Sequence, residues 1–205
     1  MSHSSVPQPD PQASVREEKK RHRELFQTLV SDANEAAGIV EQLTRWEPGA
    51  GFDWVLACLP GATEPDLTVF LNLCLERGQR VALARVEAKA MTFVHVSSLD
   101  GPWESHRWGL SQPFEGPCWE PSENRSSLVL VPGLAFAPGG ARLGRGGGFF
   151  DRFLGQNAPS VVSLGYAFSG QAVSWLPTEP HDHLLDGLIL GADSAILKAG
   201  VHLWH

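Results

Sequence analysis

Two arginines, an aspartate and six glycines are crowded into residues 139–151, and that mixture suits the handling of phosphate. The wider stretch, residues 128–154, reads LVLVPGLAFAPGGARLGRGGGFFDRFL. Gly139, Gly140, Gly144, Gly146, Gly147 and Gly148 allow a backbone to approach a ligand closely, and N–H groups at a helix start favour anions. Arg142 and Arg145 add permanently charged, planar groups that pair with phosphate oxygens. Asp151 stands where a carboxylate could hold a metal ion that bridges those oxygens. The same residues also fit a flexible surface loop with two solvated arginines, and Asp151 also fits a first-turn carboxylate favoured by the helix dipole. The spacing is neither GxxxxGK[ST] nor a GxGxxG after the first strand, which disfavours a P-loop enzyme and a Rossmann oxidoreductase.

Such groups need a strand to deliver them and a helix to receive them. Leu128-Val129-Leu130-Val131 is a clear buried strand cut off by Pro132-Gly133, and a helix starts near Phe149. Upstream, residues 14–45 read as two helices. Leu25, Phe26, Leu29 and Val30, then Ile39, Val40 and Leu43, recur at helical spacing, with Ser31-Asp32 as break and cap and residues 48–51 as the end. Residues 54–59 form an apolar run ended by Pro60-Gly61, as a buried strand would. Residues 66–77 suit a helix with Gly78 just past its end. Short strands follow at 80–85 and 91–96, then a long loop region over 99–126 and further strands at 161–168 and 184–190. The alternation predicts an α/β domain on a largely parallel sheet flanked by helices. Residues 14–205 are expected to form one domain, behind a polar, proline-rich leader over 1–13 that is expected to be disordered.

Net charge is −7. That argues against nucleic-acid binding, which needs a basic face, but not against a small anion held by clustered arginines. Cys58, Cys74 and Cys118 make no CxxC pair and are odd in number, which argues against a zinc cluster or disulfide framework and fits a reducing cytoplasm. No apolar run reaches the length of a membrane span.

The run VPGLAF…G.RLGRGGGFFDRFL resembles the signature of the 5-formyltetrahydrofolate cyclo-ligase family, and the resemblance extends over roughly residues 16–190. It implies an α/β fold similar to the sugar-phosphate isomerase and CoA-transferase group. It also implies the cyclisation of a reduced formyl-folate, 5-formyltetrahydrofolate, to 5,10-methenyltetrahydrofolate, using ATP as co-substrate and Mg²⁺ and releasing ADP and phosphate. Leu59-Pro60-Gly61-Ala62-Thr63-Glu64 matches a strand, a turn and a folate-contacting glutamate. Residues 80–85 match the next strand with its arginine, and Leu176 to Asp182, with Leu185-Asp186, is similar to the C-terminal motif.

Carried over residue by residue, the resemblance gives ATP to Arg16, Arg142, Gly144, Arg145, Gly146, Gly147, Gly148 and Asp151. Arg145 and Arg142 would stabilise the transferring phosphoryl group, Glu64, Phe149 and Phe150 would contact the folate, and Asp151 and Asp182 would bind the metal. Each has a plainer alternative: Asp182 as a turn cap, Glu64 as a solvated turn residue, and His181 as a hydrogen-bonded structural histidine. The run Arg16, Lys19, Lys20, Arg21, Arg23 reads mostly as a solvated helix face, with Arg16 the ATP candidate. Trp103, Trp108 and Trp119 could stack on the substrate or pack in the core. The chain departs from the pattern at Phe149-Phe150 (two tyrosines in many members), at Ala137 (an acidic residue), before Arg16 (a lysine) and at Gln112 (a glutamate). These departures keep a second reading open, a weak or inactive folate- or nucleotide-binding paralogue. A sugar-phosphate isomerase-like enzyme rests on fold analogy alone. A monomer or weak dimer in the cytoplasm is expected.

Overall fold

The first three helices begin where side-chain oxygens hold their first N–H groups. Before α1 (Val15–Phe26), Ser14 and Glu17 cap each other reciprocally, Ser14 N–H donating to Glu17 Oε2 at 2.8 Å and Glu17 N–H to Ser14 Oγ at 3.4 Å. Asp32 Oδ1 accepts from Asn34 and Glu35 N–H and starts α2 (Ala33–Arg45). Asp66 Oδ1 accepts from Thr68 N–H and starts α3 (Thr68–Glu76), two residues later than its apolar spacing suggested. Gly78 just beyond it has φ +79°, as a helix-ending glycine should. The computed structural model describes residues 13–27, 32–45, 52–61, 63–88, 90–106, 109–122, 127–191 and 194–197. The expectations for residues 1–12, for Leu29, Val30 and Ser31, for 48–51, for Ala62 and for Trp108 lie outside those residues.

Within them a seven-stranded sheet runs in the order β11-β10-β9-β6-β1-β2-β3. The strands are β1 (Trp54–Ala57), β2 (Arg80–Glu87), β3 (Ala90–Val96), β6 (Ser127–Val131), β9 (Val161–Ala167), β10 (Gly187–Leu190) and β11 (Ser194–Leu197). The pairs from β10 to β2 are parallel, and β3 and β11 close the two edges antiparallel. The residues predicted as one long loop hold the two-residue strands β4 (Glu104–Ser105) and β5 (Ser111–Gln112). They then run along the outer side of β3, where His95 N–H donates to Pro117 O and Trp119 N–H to Phe93 O. This covers an edge that would otherwise be open to pairing. Trp119 is core, its Nε1–H donating to Ser127 Oγ and its ring against Phe153, and Trp103 packs on the other side of the sheet.

The two faces of the sheet follow from period-two alternation. Val55, Ala57, Val81, Leu83, Leu128 and Leu130 meet α2 and α3 on one side. Leu56, Ala82, Val129 and Val131 meet Phe153 and Leu154 of α4 (Phe149–Asn157) on the other. A third cluster joins Phe26 of α1 to Leu134, Ala135, Ala137, Leu143, Val173 and Leu176. Leu25, one of the apolar residues at helical spacing, is 43% exposed.

The glycine-rich stretch corrects the sequence reading. Its first half is not loop but a short antiparallel pair, β7 (Ala135–Ala137) with β8 (Ala141–Leu143). Three-residue strands are too short to show a period. The turn between them needs Gly140, which has φ +88° and lies so close to Leu185 that an added Cβ would sit 2.3 Å from its carbonyl oxygen. Among the described residues no helix is long and apolar enough to cross a membrane.

Candidate active site

The topology itself makes a cleft. The crossover from β1 runs through α3 on one face of the sheet, and that from β6 runs through α4 on the other. Adjacent parallel strands whose connections part in this way leave a crevice beyond their C-terminal ends, where α/β proteins bind ligands. A cleft of about 840 Å³ lies there. Cys58 and Leu59 after β1 and Pro132 and Gly133 after β6 line it, and so do residues 142–151. Arg16, Lys19, Lys20 and Arg23 of α1 and Glu179, His181 and Asp182 of the C-terminal loop line it as well. Every expected site residue, from Arg16 and Glu64 to Phe149, Phe150 and Asp182, therefore borders this one space.

Arg142 comes from strand β8, and its side chain is only 5% exposed. Its Nη2 donates to both oxygens of Asp151, at 3.2 and 3.1 Å. Its Nε is buried and has no partner among the described residues. The picture of two solvated arginines is thus wrong for Arg142, because the hairpin carries it inward. Arg145 does stand in open loop, 48% exposed, and its Nη2 donates to Thr63 Oγ1 at 3.0 Å and to Glu64 Oε1 at 3.1 Å. Glu64 is not a solvated turn residue. Its side chain is 8% exposed and its Oε2 accepts the Gly61 N–H at 3.0 Å.

Helix α4 begins at Gly148, which sits in the left-handed region at φ +63° and supplies no side-chain cap. Phe149 and Phe150 follow, half-buried at the cleft wall, with Arg152 over the first ring and Arg142 over the second, 5.5 Å from its centroid. Burial pushes the Cys58 thiol well above its usual range, with the Glu64 charge adding to this.

Two parts of α1 escaped sequence reading. Lys19 is buried, and its Nζ donates to Glu179 Oε2 at 2.8 Å and to Asp182 Oδ1 and Oδ2 at 2.8 and 2.6 Å. Arg23 Nε donates to Gly144 O at 3.0 Å. The signal for Lys19 was the spacing back from Phe26, since His22 and Lys19 complete the buried face of that helix. His181, expected to be structural, is 70% exposed and touches Glu179 and Asp182 only at 3.8–3.9 Å. In the side chain of Asp182, burial raises the pKa, but the hydrogen bonds from Lys19 and from Glu179 N–H outweigh it and hold it below the usual range.

These donors bear on whether Mg²⁺ fits. Asp151 offers a carboxylate at the cleft, engaged sideways by Arg142 and, at 3.3 Å, by His183 N–H. One carboxylate together with substrate phosphates is an ordinary Mg²⁺ site. Asp182 is held more tightly: the Lys19 ammonium sits 2.8 and 2.6 Å from its two oxygens and is shared with Glu179, whereas the Arg142 guanidinium stands back from Asp151 at 3.2 and 3.1 Å.

A sequence model of the 5-formyltetrahydrofolate cyclo-ligase family matches residues 12–191. The chain is 33% identical over 159 residues to a 5-formyltetrahydrofolate cyclo-ligase of Mycolicibacterium smegmatis, covering 71% of this chain and 78% of that protein. It is 25% identical over 206 residues to a probable 5-formyltetrahydrofolate cyclo-ligase of Caenorhabditis elegans, covering 90% and 98%. The fold is similar to the solved 5,10-methenyltetrahydrofolate synthetase of Aquifex aeolicus, with a TM-score of 0.72 at 26% identity over 93% of this chain and 96% of that one. A synthetase of the same name from Mycoplasma pneumoniae, at 19% identity and a TM-score of 0.65 over 88% and 100%, shares the fold. The match runs from the first helix through the glycine–arginine run to the last parallel strand, and by it this chain belongs to the 5-formyltetrahydrofolate cyclo-ligase family of ligases.

Proposed function

We propose that this chain uses ATP and Mg²⁺ to close 5-formyltetrahydrofolate into 5,10-methenyltetrahydrofolate, with release of ADP and phosphate. The observation that carries the reading is the gathering of Arg142, Arg145, the glycine run and Glu64 around one switch-point cleft. Its volume lies at the upper end of small-molecule sites, roughly 300–1,000 Å³.

In this reading the N5-formyl oxygen takes the terminal phosphoryl group of ATP. N10 then attacks the activated carbon, and the C–O bond breaks as phosphate leaves and the five-membered ring closes. The protein positions the reactants and neutralises charge. Arg145, half-exposed in its loop, meets the transferring phosphoryl group. Arg142 sets the floor charge and holds Asp151 in place. Gly144, Gly146, Gly147 and Gly148 bring backbone amides to the nucleotide, and Arg16 reaches it from α1. Asp151 would hold Mg²⁺, which would supply charge neutralisation at the nucleotide phosphates. Glu64 accepts pterin N–H groups, and Phe149 and Phe150 give the folate an apolar wall.

The Arg145–Glu64 pair fits this scheme. Phosphate competes with Glu64 for the guanidinium, and the pterin competes with Arg145 for the carboxylate, so each substrate releases the group the other needs. The same reading takes residues 14–205 as one catalytic domain, acting in the cytoplasm as a monomer or weak dimer. The test is the near-ultraviolet absorbance of the methenyl product with 5-formyltetrahydrofolate, ATP and Mg²⁺, against a mixture lacking ATP. Absorbance growing only with ATP supports the reading, and none with a folded, folate-binding chain refutes turnover.

A further inference from the structure

The corner of the cleft formed by Glu179, His181 and Asp182 has the dimensions of a metal site. One ligand atom from each lies within 4.8 Å of the others. It also has a cation in it already. The Lys19 side chain is 7% exposed, and its ammonium has three hydrogen-bond contacts to the oxygens of two carboxylates, matching its three donors. Asp182 Oδ2 additionally accepts the Glu179 N–H at 2.6 Å, which closes the turn around the ammonium.

We propose that Lys19 is the resident cation of this corner, standing where a divalent ion would otherwise bind and fastening α1 across the cleft. Three facts lead there. A divalent ion at about 2.0–2.1 Å from these oxygens would press against an ammonium sharing them, like charge against like. The contact joins residues 160 and more positions apart, so it ties the first helix to the C-terminal loop. And Lys19 lies on the same helix as Arg16 and Arg23, which face the cleft. Lys19 is thus a positioning residue, and the Asp182 end of the cleft takes no metal. The inference refines the metal assignment of the proposed function, but its test needs neither folate nor ATP and fails independently of turnover.

The test counts Mn²⁺ bound to the full chain by the electron paramagnetic resonance of the free ion, without nucleotide. Four proteins are compared: wild type, Lys19→Gln, Asp182→Asn, and the two changes together. Removing the ammonium leaves two close carboxylates uncompensated, so Lys19→Gln is expected to bind about one Mn²⁺ more per chain than wild type. The double variant is expected to lose that added ion, and Asp182→Asn alone to keep the wild-type count. Hydrogen exchange over residues 15–26 is expected to quicken about tenfold or more in Lys19→Gln. A folded Lys19→Gln that gains no ion, or keeps wild-type exchange in α1, overturns the proposal. Loss of an ion in Asp182→Asn alone overturns it too, and that arm stands even if Lys19→Gln does not fold.

Discussion

Replacing Arg142 with alanine is expected to cost stability and turnover together, whereas replacing Arg145 costs mainly turnover, with a smaller loss of stability. The difference comes from where the two guanidinium groups sit. Arg142 is 5% exposed and its partner Asp151 is 18% exposed, so removing Arg142 leaves a mostly buried carboxylate without its counter-charge. Breaking such a pair costs ~3–5 kcal/mol, and the residual exposure of Asp151 argues for about 3. For a chain of this size that is a fall in Tm of roughly 6–12 °C. Arg145 is 48% exposed, so its pair with Glu64 is screened by solvent, but Glu64 is itself 8% exposed and keeps only the Gly61 N–H, so the loss is about 1–2 kcal/mol, or ~2–8 °C. Both substitutions should lower kcat by roughly 100-fold, the effect of losing a preorganised charge contact at a phosphoryl group. Thermal unfolding by circular dichroism, run beside the turnover assay, separates the cases. An Arg145→Ala protein that loses as much Tm as Arg142→Ala, or an Arg142→Ala protein with wild-type Tm, would refute the reasoning. In a double-mutant cycle, Asp151→Asn should add little to the stability already lost in Arg142→Ala, because the two residues share one interaction.

Acid should loosen α1 before the core. The Lys19 hydrogen bond holds Glu179 below the usual carboxylate range, and Asp182 is held low too, so their stabilisation is present above the unfolded pKa of about 4 and fades as pH falls below it. Stability measured by urea unfolding against pH should therefore fall less steeply on the acid side in Lys19→Gln than in wild type, and equal slopes would remove this contribution. Gly140→Ala should be destabilising by about 3 kcal/mol or more, since its Cβ meets the Leu185 backbone and φ is +88°; a wild-type unfolding midpoint would contradict the tight turn. Asp151→Asn should raise the Mg²⁺ concentration needed for half-maximal rate, and an unchanged titration would leave Asp151 as only the partner of Arg142.

Sequence reading reached the scaffold of the site where local signals are strong. The run Leu128 to Val131 is wholly buried, as its apolar composition requires, and α4 opens at Phe149, directly after the left-handed Gly148. The alternation of strands and helices carried the parallel sheet. What stayed hidden depends on contacts distant along the chain. Arg142 reads as loop until β7 pairs with it, and neither three-residue strand has a period of its own. Lys19 looks like one more basic residue on a helix until Glu179 and Asp182 arrive from the other end of the chain. The Arg145–Glu64 pair likewise spans 81 positions, beyond any local pattern. The buried face of α1 was the exception. Its Phe26, His22, Lys19 spacing was present in the sequence but was masked by the charge of the residues around it.

The most direct test of the proposed activity is its stoichiometry. With limiting 5-formyltetrahydrofolate and excess ATP and Mg²⁺, the methenyl product is followed by absorbance while released phosphate is measured in the same mixture. Coupling of ring closure to phosphoryl transfer at one cleft predicts equal amounts of product and phosphate, with both lost together in Arg145→Ala. Methenyl product formed without matching phosphate, or phosphate released with no product, would contradict it.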